Sequence, residues 1–169
     1  MRFLKVLSLS ACFIFFANIA FAQAVDEKAA TEKMIQFVKK TIEFAKKNGK
    51  EKTLAEINKG QDKEGLFVDG DLYIYAYDFN HTVIAHGVDK SLIGKNLTEL
   101  KGPKKNPDGS DFYTIQELQK AAQKPDGGIT MFYWPHPKKR NELWLKKGYS
   151  QKVDDTWWVG SGIYIKKAD

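Results

Sequence analysis

Lys146 is the residue with the clearest chemical potential in this chain. It stands between Trp144 and Gly148 in the run LWLKKGYS, three residues before Tyr149. In extended backbone Trp144, Lys146, Gly148 and Ser150 point to one side, and in the next run Trp158, Gly160, Gly162 and Tyr164 do the same. If the turn at Asp154-Asp155-Thr156 keeps an even register, the two sets form one face of a hairpin. That face gathers a lysine, a tyrosine and two tryptophans around three glycines. An ammonium held there would neutralise a carboxylate, with tyrosine hydroxyls supplying further hydrogen bonds. A strand lysine is otherwise a solvated one. The glycines mark either close approach of a ligand or close packing of a helix on the sheet, and the sequence leaves both open.

A second group sits in Asp71 to His86, DLYIYAYDFNHTVIAH. Tyr73, Tyr75 and Tyr77 alternate with Leu72, Ile74 and Ala76, the period of a strand with two unlike faces. Asp78-Phe79-Asn80-His81 reads as a tight turn and Thr82 to His86 as the returning strand. A two-residue loop would pair Tyr77 with Thr82, Tyr75 with Ile84 and Tyr73 with His86. One face then carries the tyrosines and His86; the other carries Leu72, Ile74, Ala76, Val83 and Ala85. His86 is a pocket wall on this register, or a histidine that stabilises the core or a turn. Phe112, Tyr133 and Tyr149 complete the candidate ligand-binding set of Tyr73, Tyr75, His86, Phe112, Tyr133, Trp144, Lys146 and Tyr149, as aromatics that serve equally well in a core.

Catalysis has no constellation to stand on. The histidines at 81, 86 and 136 have no metal-ligand spacing, and Gly160-Ser161-Gly162 lacks the frame of a nucleophile elbow. No phosphate loop or dinucleotide fingerprint is present, so neither a cofactor nor a metal is expected. The lysines are scattered in short runs with no nucleic-acid motif, which points to solvated faces and to no nucleic-acid partner.

The N-terminus reads as a leader. Met1 to Lys5 is basic, Val6 to Ile19 apolar, and Ala20-Phe21-Ala22 a small-x-small cleavage site before Gln23. Residues 1–22 are therefore expected to be a signal peptide and 23–169 a single domain in the periplasm. Cleavage removes Cys12, the only cysteine, and with it any disulfide or thiolate chemistry. Loss of Arg2 and Lys5 lowers the formal charge from +6 to +4, a mild field that would recruit small anions.

The elements that must position these residues follow in order. Asp26 to Asn48 has the spacing of a long amphipathic helix, and Thr53 to Asn58 that of a short one. Gln61 to Gly70 reads as a loop before the tyrosine hairpin. Gly87 to Gly94 reads as a turn, Asn96 to Leu100 as one helical turn, and Lys101 to Asp111 as a mobile loop. Asp111 would cap a helix from Phe112 to Gln123. Ile129 to Trp134 is a strand, and Glu142 to Val153 with Trp157 to Ile165 a closing hairpin. Antiparallel strands interrupted by helices make an α+β fold.

The motifs in this order, YIYAYDFNHTVIAH, Gly94-Lys95-Asn96-Leu97, Asp111-Phe112, Tyr133-Trp134, Lys146 three residues before Tyr149, and Trp158 to Tyr164, resemble a single Cache domain of type 2. This is the extracytoplasmic PAS-like sensor module of bacterial chemoreceptors and kinases. The resemblance covers roughly Asp26 to Ile165. It implies a long N-terminal helix on a roughly five-stranded antiparallel sheet, with a pocket for a small organic anion, often a short organic acid. It implies signal transduction or chemotaxis rather than enzymatic activity, and adds weight to Lys146, because the family pattern has a lysine at that spacing before a tyrosine. Sensor members continue into a second membrane helix and a transmitter, whereas this sequence ends four residues after Ile165. A partner such as a membrane-bound sensor or receptor is thus expected, either with a ligand bound or as a ligand-free docking module. The domain itself would be a monomer or a weak homodimer through the N-terminal helix.

Overall fold

The computed structural model describes residues 9–60, 64–139 and 141–168, with side chains from Asp26 onward. The chain divides into two units, Met1–Lys33 and Met34–Asp169. The first is helical from Leu9 on, the opening part of helix α1, Leu9–Asn48. The start of the expected signal peptide, residues 1–8, lies outside the described residues, as do residues 61–63 of the loop before the tyrosine hairpin.

In the second unit, α1 ends with Lys46 and Lys47 in its last turn, where cations complement the helix dipole. Gly49, at φ +83°, then breaks the helix before α2, Lys50–Lys59. The strands are β1 (Val68–Asp69), β2 (Leu72–Tyr73), β3 (Tyr75–Asp78), β4 (Val83–His86), β5 (Lys101–Lys105), β6 (Asp111–Tyr113), β7 (Gly128–Pro135), β8 (Leu143–Asp154) and β9 (Trp157–Lys167), with α3 at Thr114–Ala122. Five of them form one antiparallel sheet in the order β4-β3-β9-β8-β7. The expected α+β architecture of a long helix on a five-stranded antiparallel sheet is the one observed.

Each face of the sheet has its own core. On one face Met34, Val38, Ile42 and Ala45 of α1 and Ile57 of α2 pack with Leu72, Ile74, Ala76, Ala85, Trp157 and Val159. On the other, Ile115, Leu118 and Ala122 of α3 pack with Tyr73, Tyr75, Tyr77, Val83, Phe132 and Trp158. The alternation in β2 and β3 therefore sorts one side chain to each core in turn, and both faces are buried.

The register of the tyrosine hairpin differs from the sequence reading. Asp78 Oδ1 accepts the backbone N–H groups of Asn80 (2.9 Å) and Thr82 (2.8 Å), and Asp78 N–H donates to Thr82 O. These bonds enforce a three-residue loop, with His81 at φ +64°. Tyr77 consequently pairs with Val83, and a bulge then shifts the register so that Ala76 pairs with Ala85 and Tyr75 with His86. Val83 moves to the tyrosine face, and Ile84 joins Ala85 on the α1 side. Tyr73 pairs with Val68 of β1 instead of His86.

Three further expectations are corrected. Lys101 to Asp111 is a two-stranded hairpin, β5 with β6, clamped by Lys101–Asp111 (2.6 Å) and Lys105–Asp111 (3.7 Å) ion pairs. Asp111 is thereby engaged in the hairpin rather than capping a helix; α3 starts at Thr114, with Tyr113 at the cap position. Asn96 to Leu100 forms no helix, because Asn96 bridges Thr82 and the loop is held to the hairpin by Leu97 N–H donating to His81 O (3.0 Å).

Candidate functional site

Between the sheet and α3, β2, β3, β4, β8 and β9 bring Tyr73, Tyr75, His86, Lys146 and Tyr164 together. Lys146 is fully buried, so the solvated strand lysine is excluded. Its Nζ lies 4.0 Å from the Tyr73 ring centroid, 4.6 Å from that of Tyr164 and 5.9 Å from that of Tyr75. It has no hydrogen-bond partner among the described residues. Aromatic faces attract a cation, but they do not replace hydrogen-bond acceptors. Burial accordingly pushes the Lys146 ammonium well below its ordinary pKa, opposed in part by the charge of Asp71.

His86 is held by the turn after β4. Backbone N–H groups of Asp89 (2.8 Å) and Val88 (3.3 Å) both donate to Nδ1, which places the ring proton on Nε2. Burial, reinforced by the nearby Lys146 charge, lowers its pKa to about 3, so the imidazole is neutral. Its ring lies 5.0 Å from that of Tyr73 although the two residues are not paired in register. Tyr164 donates its hydroxyl to Pro135 O (2.9 Å), and the Tyr73 and Tyr164 hydroxyls are 3.3 Å apart. Desolvation raises Tyr73, and raises Tyr164 to about 12, so both hydroxyls keep their protons at neutral pH.

The glycines in β8 and β9 make room for this arrangement. A Cβ on Gly160 would lie 2.4 Å from the Tyr75 ring, one on Gly162 2.6 Å from Lys146 Cε, and one on Gly148 2.7 Å from Phe132. The space they leave is filled by the protein's own tyrosine, lysine and phenylalanine side chains, neither by α3 nor by open cavity. Tyr75, paired with Gly160, lies across the strand and donates to Ser161 O at 3.3 Å.

Two volumes adjoin the lysine. A small space of about 10 Å³ is bounded by Tyr73, Tyr75, Tyr77, His86, Trp134 and Lys146 among others. It shares Tyr73, His86 and Trp134 with an open groove of about 770 Å³. A basic group, a neutral N–H donor and tyrosine hydroxyls at the end of a groove can receive an anion.

The other candidates are placed as follows. Tyr133 lines the groove, with Lys104 Nζ 5.5 Å from its ring. Phe112 lines a recess of about 310 Å³ with Phe132 and Leu145, which adjoins the groove through Gly102, Pro103 and Tyr133. Trp144 stands edge-on to His136, whose ring stacks on Tyr164 at 4.2 Å, so it reaches the cage through two rings. Tyr149 belongs to the α1-side core, its hydroxyl donated to Asp126 O. Tyr164 lies outside the candidate set drawn from the sequence, although strand parity puts it on the Lys146 face; its alternation with Gly160 and Gly162 is the signal that finds it. The groove walls from irregular segments, Val88, Leu92, Leu97 and Leu100, carry no periodic signal.

The model of the Single Cache domain 2 family matches residues 22–169. The chain belongs to that family. Cache domains are extracytoplasmic sensor modules, a non-enzymatic family. Solved structures agree in fold. A methyl-accepting chemotaxis protein from Vibrio parahaemolyticus RIMD 2210633 is 24% identical over 88% of this chain and 97% of its own, with a TM-score of 0.69. A Cache chemosensory domain described for its carboxylic acid recognition is 23% identical over 83% and 96%, TM-score 0.60. The periplasmic sensor domain of a chemotaxis protein is 21% identical over 88% and 98%, TM-score 0.59. No curated protein matches the chain. Among the described residues of this Cache domain, no helix is long and apolar enough to cross a membrane.

Proposed function

We propose that this Cache domain binds a small organic acid, with Lys146 as the cation that receives the carboxylate. The observation that carries the proposal is a fully buried lysine whose Nζ has no hydrogen-bond acceptor among the described residues. Such a group is costly to keep unless a partner arrives. A carboxylate entering from the groove would accept from the Lys146 ammonium and from the His86 Nε2–H, with the Tyr73 and Tyr164 hydroxyls at the same end. The structural neighbour that recognises carboxylic acids lends the reading support by analogy. Ligand at about 100 times its dissociation constant should stabilise the fold by roughly 2.7 kcal/mol. For a protein of this size that is on the order of 5–10 °C in melting temperature. A thermal-shift panel of small organic acids checks it; a panel in which no acid moves the melt would favour a ligand-free docking module instead.

The same proposal places the domain in the periplasm after cleavage between Ala22 and Gln23, a reading that rests on the Ala20-Phe21-Ala22 pattern. Intact mass spectrometry of protein released from the periplasm should give a chain starting at Gln23. A chain retaining Met1 in the membrane fraction would refute it.

A further inference from the structure

The space at the lysine and the groove beside it differ greatly in size. About 10 Å³ at the Lys146 end is room for roughly one water molecule. The groove, at about 770 Å³, lies within the range of ligand pockets, which are mostly apolar with a few polar anchors. Away from the shared residues Tyr73, His86 and Trp134, its walls include Val88, Leu92, Leu97, Leu100, Pro135 and Leu143. A two- or three-carbon acid at the lysine would leave nearly all of this apolar surface wet. The charged groups on the groove wall argue against a second acid group. The Lys101 ammonium is already paired with Asp111 at 2.6 Å, and the Asp89 carboxylate would repel another anion.

We infer that the ligand is an amphipathic monocarboxylic acid, its carboxylate at the Lys146–His86 end and an aromatic or medium-length aliphatic body lying along the groove. This rests on the carboxylate reading of the cage and narrows it. The acid group supplies the polar anchor, and transfer of the body from water supplies the selectivity over shorter acids.

Calorimetric titration of the purified protein with acetate, butyrate, hexanoate, phenylacetate and adipate tests the inference. Affinity should rise about fourfold for each methylene that enters the groove. Hexanoate and phenylacetate should exceed acetate by about tenfold or more, and adipate should bind more weakly than hexanoate. Leu143, 37% exposed, and the half-buried Leu92 tolerate polar replacement. Leu143→Gln and Leu92→Gln should each weaken hexanoate while leaving acetate unchanged. Acetate binding as tightly as hexanoate, or adipate binding more tightly, with either lost in Lys146→Met, overturns the size and charge class and leaves the carboxylate site standing. Binding that is indifferent to Lys146→Met, or no binding by any acid, overturns both.

Discussion

Lys146→Met should abolish acid binding and raise the melting temperature of the unliganded protein by about 5 °C. The two effects have one cause. Methionine fills nearly the same volume as the lysine side chain that lies over Gly162, so packing is kept. What disappears is a desolvated amine with no hydrogen-bond partner among the described residues. Leaving such a group unsatisfied costs about 1–3 kcal/mol, offset in part by the tyrosine rings. Alanine is the poorer probe, because deleting a fully buried side chain of this length opens a cavity and destabilises for an unrelated reason. Thermal melts with and without acid read both effects. A Met variant that still shifts with acid removes Lys146 from the site, and one that melts well below wild type shows that the lysine stabilises the unliganded fold.

Between the unliganded pKa of Lys146 and its ordinary 10.5, acid binding should also take up as much as one proton, and affinity should fall up to tenfold per pH unit. In the free protein burial favours the neutral amine; a bound carboxylate restores the ammonium. The groups facing it are silent in this window. His86 is neutral above its pKa of about 3, and the Tyr73 and Tyr75 hydroxyls are raised, that of Tyr164 to about 12. Asp71, whose charge pulls Lys146 upward, is engaged with Lys138 at 2.9 Å. The same shift has a consequence for stability. The unfolded chain binds the Lys146 proton up to its ordinary pKa and the folded chain releases it earlier, so unliganded stability rises with pH across the window. Lys146→Met should lack that slope. The His86 contribution has the same sign at lower pH, complete above about 6.5 and lost as pH falls toward about 3. Calorimetry in two buffers of different ionisation enthalpy counts the proton. No uptake with a flat affinity profile would mean that Lys146 is already charged in the free protein.

The fold was legible where side-chain periodicity is strong. The alternation from Leu72 to Tyr77 sorted tyrosines from aliphatics correctly, because each set packs into its own core. The register of that hairpin was not legible from alternation. It was decided by Asp78 accepting two backbone amides and by a bulge at Ile84, and neither leaves a trace in the hydrophobic pattern. The β5–β6 hairpin was hidden because its glycine and prolines look like loop, while its pairing is clamped by ion pairs from Lys101 and Lys105 to Asp111 that no hydrophobic alternation announces. At the site, parity placed Lys146, Gly148, Gly160 and Gly162 on one face. It could not show that the glycines are occupied by Tyr75, Phe132 and Lys146 themselves. Nor could it show that His86 is oriented by the backbone of its own following turn.

A crystal structure of the protein soaked with an acid from the titration series tests the central claim most directly. The account predicts a carboxylate oxygen about 2.7–2.9 Å from Lys146 Nζ, as in a charge-assisted hydrogen bond, with a second contact to His86 Nε2. An acid bound elsewhere, or one whose carboxylate faces away while Lys146 stays against the Tyr73 and Tyr164 rings, would contradict it.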